Sequence, residues 1–311
     1  TGEGIPPEFF KTAERGSPLF WFLLETFNGI WVGGCFPEAW SVAEVVPVLK
    51  KGDATRPENY RGISLIAGSM KVLNKLLARR ISDALERHGR LREEQAGFRG
   101  GEECLGHCVE LEEARAQRKR TGQETWRGFV DFKKAFDTVP QEAVLAKTEE
   151  RLGLREGGNL SRYLRGMYSC PLGRLRKGTE TWKCEVGVRQ GCPISPVLFL
   201  MFINDLLDTT EHLGVEITGQ DKKLSGLLFA DDLVLIAESN EKLQALATMT
   251  AQWSERWGMA ANAQKCAVLK DAGAETSRSI TLRQKNLFFP YQKYLFLPTL
   301  CVFPVPFASP L

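Results

Sequence analysis

Two adjacent acids, Asp231 and Asp232, sit at the centre of an apolar run, Leu227-Leu-Phe-Ala-Asp-Asp-Leu-Val-Leu-Ile236. Runs of this kind flank turns in buried sheets. An unpaired buried carboxylate is costly, so the pair must be solvated, hydrogen-bonded or metal-bound. No basic residue lies close in sequence, and a divalent cation is the natural relief for two repelling carboxylates. The same dipeptide also suits a polar turn of a surface hairpin. On these residues alone both readings stand.

A second acid cluster, Asp131-Phe-Lys-Lys-Ala-Phe-Asp137, follows a strand-like stretch that begins at Trp126. Two strand-end acids in one sheet can share a pair of metal ions. Such ions lie about 3.5–4 Å apart and clamp the attacking and leaving oxygens of an in-line phosphoryl displacement. That chemistry needs positioning and charge neutralisation more than covalent catalysis. Between the clusters lies Gly187-Val-Arg-Gln-Gly-Cys-Pro-Ile-Ser-Pro196. Gly191 and Pro193 make it a shaped turn suited to close approach by a ligand; as plain structure it is the start of a helix.

The elements that must position these residues can be read from periodicity. Residues 5–31 read as a helix anchored by Phe9, Phe10, Phe20, Phe22, Leu23 and Phe27, broken at Gly33-Gly34. A short strand over 45–49 leads into the polar turn Lys50-Lys51-Gly52-Asp53. The spacing of Leu73, Leu76, Leu77, Ile81 and Leu85 predicts an amphipathic helix over 69–88, ended by Gly89. A second helix over 103–120 closes in the basic run Arg115 to Arg120, a solvated helix end favoured by the dipole or a phosphate contact. Then come a strand over 126–131, a helix over 140–152, strand-like alternation over 174–188 and a strongly apolar, buried helix over 196–207. After the Asp-Asp hairpin, a helix over 239–257 stops at Gly258 and a last strand covers 267–270. Strands interleaved with helices indicate a sheet domain of the α/β or α+β class.

A length of 311 residues suggests about two domains. Hydrophobic content of 43% and charged content of 25% are ordinary for a globular chain. With 41 basic against 38 acidic side chains the net charge is +3, so a nucleic-acid surface must come from local clustering. The eight cysteines read as reduced thiols in the absence of a secretory signal. Cys104, His107 and Cys108 suggest zinc, but no second ligand pair follows at a finger-like spacing. Thr1 at the start points to a fragment or a processed product, and no uninterrupted apolar span predicts a membrane helix. Residues 294–311 are uncharged and carry four prolines, which points to a poorly packed end or to sequence foreign to the preceding domain.

These segments, taken in order, resemble the reverse transcriptase domain of non-LTR (LINE-type) retrotransposons. Residues 40–53 (WSVAEVVPVLKKGD) with 59–65 (NYRGISL) resemble the fingers motifs, and 94–99 (EQAGFR) the segment after the fingers helix. Residues 130–139 (VDFKKAFDTV), 189–206 (RQGCPISPVLFLMFINDL) and 229–232 (FADD) resemble the first three catalytic motifs, and 257–265 the fourth. Each motif alone is weak; all in order, over residues 4–270, are specific.

The resemblance implies an α+β right-hand polymerase fold. Fingers would occupy residues 1–120 and palm 121–272, with 273–311 an irregular Pro-rich tail and the thumb absent or degenerate. It implies RNA-directed DNA synthesis with two Mg²⁺ ions (Mn²⁺ as a substitute), an RNA template, a DNA primer or target, and dNTPs. Asp131 and Asp231 resemble the metal-bridging carboxylates and Asp232 the helper acid, whereas Asp137 reads as a cap or turn acid. Lys50 or Lys51, with Arg61, resembles the cations that hold the triphosphate. Phe136 resembles the steric gate against a ribose 2′-OH. Gln190 and Gly191 resemble residues near template and nucleotide, and Lys265 a lysine that protonates pyrophosphate. Endonuclease and thumb domains are expected in a full-length parent, and a nuclear location is implied.

Departures narrow the match. Cys266 stands where relatives often have Thr, and Gly100-Gly-Glu-Glu103 interrupts the basic continuation after Arg99. Three other readings follow: an inactive remnant that keeps a polymerase-like nucleic-acid-binding fold, a group II intron or telomerase-like reverse transcriptase, and an RNA-dependent RNA polymerase. The bulky Phe136 argues against the last.

Overall fold

The computed structural model describes residues 5–34 and 36–271, together with the backbone of 281–282 and 287–288. The first stretch holds two helices, not one: α1 (Pro7–Lys11) and α2 (Pro18–Gly33). Pro18 cannot continue a helix from its N-terminal side, and Ser17 caps the second by accepting the Phe20 amide. Strands β1 (Val42–Leu49) and β2 (Tyr60–Leu65) then pair antiparallel around the Lys50–Asn59 connection.

Helix α3 (Gly68–Arg87) buries Leu73, Leu77, Ile81 and Leu85 as the periodicity predicts. Leu76 falls outside that stripe and is exposed. Helix α4 (Cys104–Arg120) ends differently from its sequence reading. Arg118 is buried, and its guanidinium donates to Thr125 Oγ1 and the Glu124 carbonyl, so part of the basic run ties α4 to the next strand.

That strand is β3 (Thr125–Val130), followed by α5 (Ala135–Thr138), α6 (Gln141–Leu152) and α7 (Asn159–Ser169). Helix α7 has no counterpart in the sequence reading. Next come β4 (Leu172–Leu175), β5 (Thr181–Lys183), α8 (Ser195–Ile203), β6 (Gly226–Phe229), β7 (Asp232–Ala237), α9 (Asn240–Arg256) and β8 (Ala267–Asp271). Two short strands, β9 (Thr281–Leu282) and β10 (Leu287–Phe288), pair antiparallel. The rest of the segment expected to be an irregular tail lies outside the described residues.

Two four-stranded sheets organise the chain. The first runs β2-β1-β4-β5 and the second β6-β7-β3-β8. In the second, every pairing is antiparallel. A cut at residue 120 does not separate the sheets, because β4 comes from beyond it and pairs parallel with β1.

The second sheet is covered on both faces. Leu233, Leu235 and Ala237 join the main core with α8 and α9, in which Phe199, Phe202, Leu243 and Leu246 are buried. On the other face Leu227 and Ile236 pack with Ala114 of α4. Burial from both sides explains why residues 227–230 and 233–236 are continuously apolar and do not alternate.

Candidate active site

Asp131 is the first residue past β3, and the ladder places it beside the Asp-Asp hairpin. Val130 pairs with Leu233, so one step further along the antiparallel register sets Asp131 opposite Asp232. Opposed residues in such a ladder point to the same face. Asp231 sits in the two-residue loop between β6 and β7, closed by the Phe229–Asp232 pair. Ala230, the other loop residue, adopts a left-handed φ of 58°.

The loop is held from outside its own hairpin. Gln95, with no exposed surface, accepts the amides of Ala230 (2.9 Å) and Gly97 (2.8 Å) through its side-chain oxygen. Its side-chain nitrogen donates to the Ala230 carbonyl at 3.2 Å. The backbone of 94–96 adds to the edge of β6, with the Leu228 amide on the Glu94 carbonyl and the Ala96 amide on the Leu228 carbonyl. A Cβ at Gly97 would stand 2.1 Å from the Ala230 nitrogen, so only glycine allows this approach. Sequence reading took 94–99 as a motif without a task. A buried amide that clamps a turn 135 positions later leaves no periodic signal in one sequence.

The carboxylates feel one another. Loss of hydration, then the charge of Asp232, lifts the Asp231 carboxyl above its ordinary range; Asp131 adds to the rise and Arg61 opposes it. Loss of hydration and then Asp131 lift Asp232, while Lys265 pulls it down. Lys265 donates to both oxygens of Asp131, at 2.9 and 3.1 Å. Its ammonium therefore lies on a carboxylate in this structure. Among the described residues no three His, Cys, Asp or Glu side chains converge as a ready metal cage. Magnesium rarely uses such a cage; it takes one or two carboxylates and completes its shell with water and substrate phosphates. Hard oxygen donors whose negative charges resist ionising together fit a divalent cation.

The remaining expected residues fall into two groups. Gln190 and Gly191 are set between the motifs. The Gln190 carbonyl accepts the Ser64 amide of β2, and its side-chain nitrogen donates to Asp137. Asp137, expected as a cap or turn acid, lies in the first turn of α5 without capping it, and its carboxylate holds the second motif. Gly191 has a φ of 105°, and a Cβ there would meet the Ser64 carbonyl at 2.7 Å. Arg189, buried, donates to the carbonyls of Trp40 and Ser41 just before β1. Phe136 is half-buried and stacks on Phe199 with centroids 4.5 Å apart.

Lys50, Lys51 and Arg61 are all exposed on the β1–β2 hairpin. Val48 pairs with Arg61 and the Lys50 amide continues the ladder to the Asn59 carbonyl. Strand alternation then sets Lys50 on the face of Arg61, with Lys51 beyond the strand. Arg61 alone of the three acts on the Asp231 carboxyl.

The sequence profile of the family described as "Reverse transcriptase (RNA-dependent DNA polymerase)" matches residues 48–287. The chain belongs to that family. The R2 type-1 retrotransposable element of Popillia japonica encodes a "Retrovirus-related Pol polyprotein" to which this reverse transcriptase domain is 30% identical, over 75% of the chain and 32% of that protein. The "Probable RNA-directed DNA polymerase from transposon BS" of Drosophila melanogaster is 27% identical, over 82% of the chain and 29% of that protein. The chain thus spans about a third of the length of these relatives. They bear out the resemblance to LINE-type retrotransposon reverse transcriptases. Among solved structures, telomerase from Candida albicans in complex with a TWJ fragment of telomeric RNA superposes with a TM-score of 0.56 at 13% identity, over 83% of this chain and 46% of that one. At that identity the likeness speaks for the fold alone, and the expected α+β right-hand polymerase fold is the one found. Members of the family use divalent metal ions.

Proposed function

We propose that this domain is the polymerising part of an RNA-directed DNA polymerase of a retrotransposon. It would copy an RNA template by adding dNTPs to a DNA primer, at a chromosomal target in the nucleus. The observation that carries this reading is the meeting of Asp131 with the Asp231-Asp232 turn, where lost hydration first and a neighbouring carboxylate second hold Asp231 and Asp232 above their ordinary pKa.

In the proposed reaction the primer 3′-oxygen forms a bond to the α-phosphorus of the dNTP as the bond to pyrophosphate breaks. Asp131 and Asp231, with Asp232 beside them, would hold two Mg²⁺ ions (or Mn²⁺). When bound, these would neutralise charge on the phosphates and acidify the 3′-hydroxyl. Arg61 and Lys50 would bind the triphosphate as exposed cations. Lys265 would leave Asp131 as the carboxylate takes up its ligand, which frees the ammonium to protonate pyrophosphate. The half-buried ring of Phe136 would occupy the space that a ribose 2′-OH needs.

The test is extension of oligo(dT) on poly(rA) with dTTP and Mg²⁺. The wild-type chain should extend the primer, and Asp231→Ala should lose at least about a thousandfold in rate, roughly 4 kcal/mol of barrier. Normal extension by the variant would refute the assignment. A wild-type chain that extends nothing would favour the inactive-remnant reading. The sequence relatives, all at higher identity than the telomerases, favour a retrotransposon source over a telomerase-like one.

A further inference from the structure

Phe98 is an exposed aromatic in a costly backbone. It stands 54% open to solvent, and its φ of 58° is one that side-chain-bearing residues seldom adopt. Strain in a well-anchored loop commonly marks function, and this loop is anchored on three sides. Gln95 binds it to the Ala230 turn, and Gly97 lies directly against that turn. Arg99 donates through Nη1 to the carbonyls of Arg92 and Gln95 and grips both carboxylate oxygens of Glu86 of α3 through Nε and Nη2, at 2.8 and 2.7 Å. The fold spends many contacts on placing one ring outside the core.

That ring meets Phe136 edge to face, with centroids 6.0 Å apart and planes at 74°. Phe136 stacks on Phe199, which is wholly buried and cannot yield. The Phe136 amide carbonyl is also held, by the Val188 amide at 2.8 Å. The backbone and the floor of Phe136 are therefore fixed by the core, and Phe98 is the wall on the open side. Without it the Phe136 side chain would have free space toward solvent.

We propose that Phe98 is a positioning residue for sugar selection: it holds Phe136 upright, and so the rejection of ribonucleotides depends on a residue outside the three catalytic motifs. The proposal rests on the reverse transcriptase reading above. It further implies that the loop couples sugar selection to the catalytic turn, because it touches Phe136 through Phe98 and Ala230 through Gln95 and Gly97.

The experiment measures kcat/KM for UTP and for dTTP on poly(rA)/oligo(dT). Phe98→Ala should raise the UTP-to-dTTP ratio about tenfold, the scale on which pocket shape discriminates substrates. Phe98→Tyr, which keeps the ring, should restore the wild-type ratio. Phe136→Val should raise the ratio by itself, and adding Phe98→Ala to it should change the ratio no further. Phe98→Leu keeps apolar bulk without a ring edge and serves if the alanine variant unfolds. A wild-type ratio in the Phe98 variants while Phe136→Val shifts it would overturn the proposal alone. So would full additivity in the double variant. A wild-type chain that incorporates no dTTP overturns the underlying reading and this one together.

Discussion

The two hairpins that face the candidate site are built alike and secured differently. The β6–β7 hairpin carries Asp231 in a two-residue loop and Asp232 at the start of β7; its strands are covered on both faces and its loop is clamped by Gln95. The β1–β2 hairpin carries Arg61 on β2 and Lys50 and Lys51 at the start of a longer connection, all in the open, and the connection's own contacts are local, such as Asp53 with Thr55. The difference follows from the charge each must manage. Carboxylates that repel must be held together by structure, since nothing in their own chemistry gathers them. Cations that meet a polyanionic triphosphate are gathered by the ligand and need only reach it.

If the clamp matters as this contrast requires, Gln95→Ala should have the largest effect after Asp231→Ala. It leaves the amides of Ala230 and Gly97 unpaired in the interior, at about 1–3 kcal/mol each. We expect denaturant unfolding to show a loss of about 2–6 kcal/mol on that basis. Extension rate should fall roughly a hundredfold through misplacement of Asp231, with KM for dTTP little changed. Wild-type stability and rate in Gln95→Ala would mean that the hairpin holds its own shape, and the contrast would collapse.

The fingers hairpin should respond in the opposite way, in KM and not in fold. Arg61→Ala is expected to raise KM for dTTP about tenfold with melting unchanged, as loss of one charge-assisted contact. The register sharpens the choice between the lysines. Lys50→Ala should raise KM about threefold and Lys51→Ala hardly at all, since only Lys50 shares the Arg61 face. A larger effect at Lys51 would show that the turn rearranges around the nucleotide.

The contrast also marks what one sequence can convey. The acids and cations were legible because reaction chemistry limits residue type and order, and because glycines and prolines punctuate the turns around them. Helices α3, α4 and α9 were legible from their spacing and stops. Besides the break between α1 and α2 and the whole of α7, three further features were not. Gln95 acts through a partner 135 positions away. Strand β4 joins β1 across more than a hundred residues, and long-range pairing carries no local period. Arg118 looks like its exposed basic neighbours in sequence, and only the fold reveals that it is buried.

One substitution at the site should bring a gain. A carboxyl whose folded pKa is raised costs stability once it ionises, because the unfolded chain lets the proton go more easily. For Asp231 the penalty is absent below the ordinary value of 3.8, where both states are protonated; it grows as pH rises through the raised folded value and is complete above it. Asp231→Asn removes the charge, so it should stabilise the protein by about 1 kcal/mol at pH 7, a usual return for relieving a strained functional site. The gain should shrink as pH falls through that window and vanish below 3.8. Millimolar Mg²⁺ should raise the melting temperature of the wild type more than that of the variant, because the ion offsets the same repulsion. A variant less stable than wild type at pH 7 would mean that Asp231 is held by favourable contacts. The catalytic hairpin would then be no more strained than the fingers hairpin opposite it.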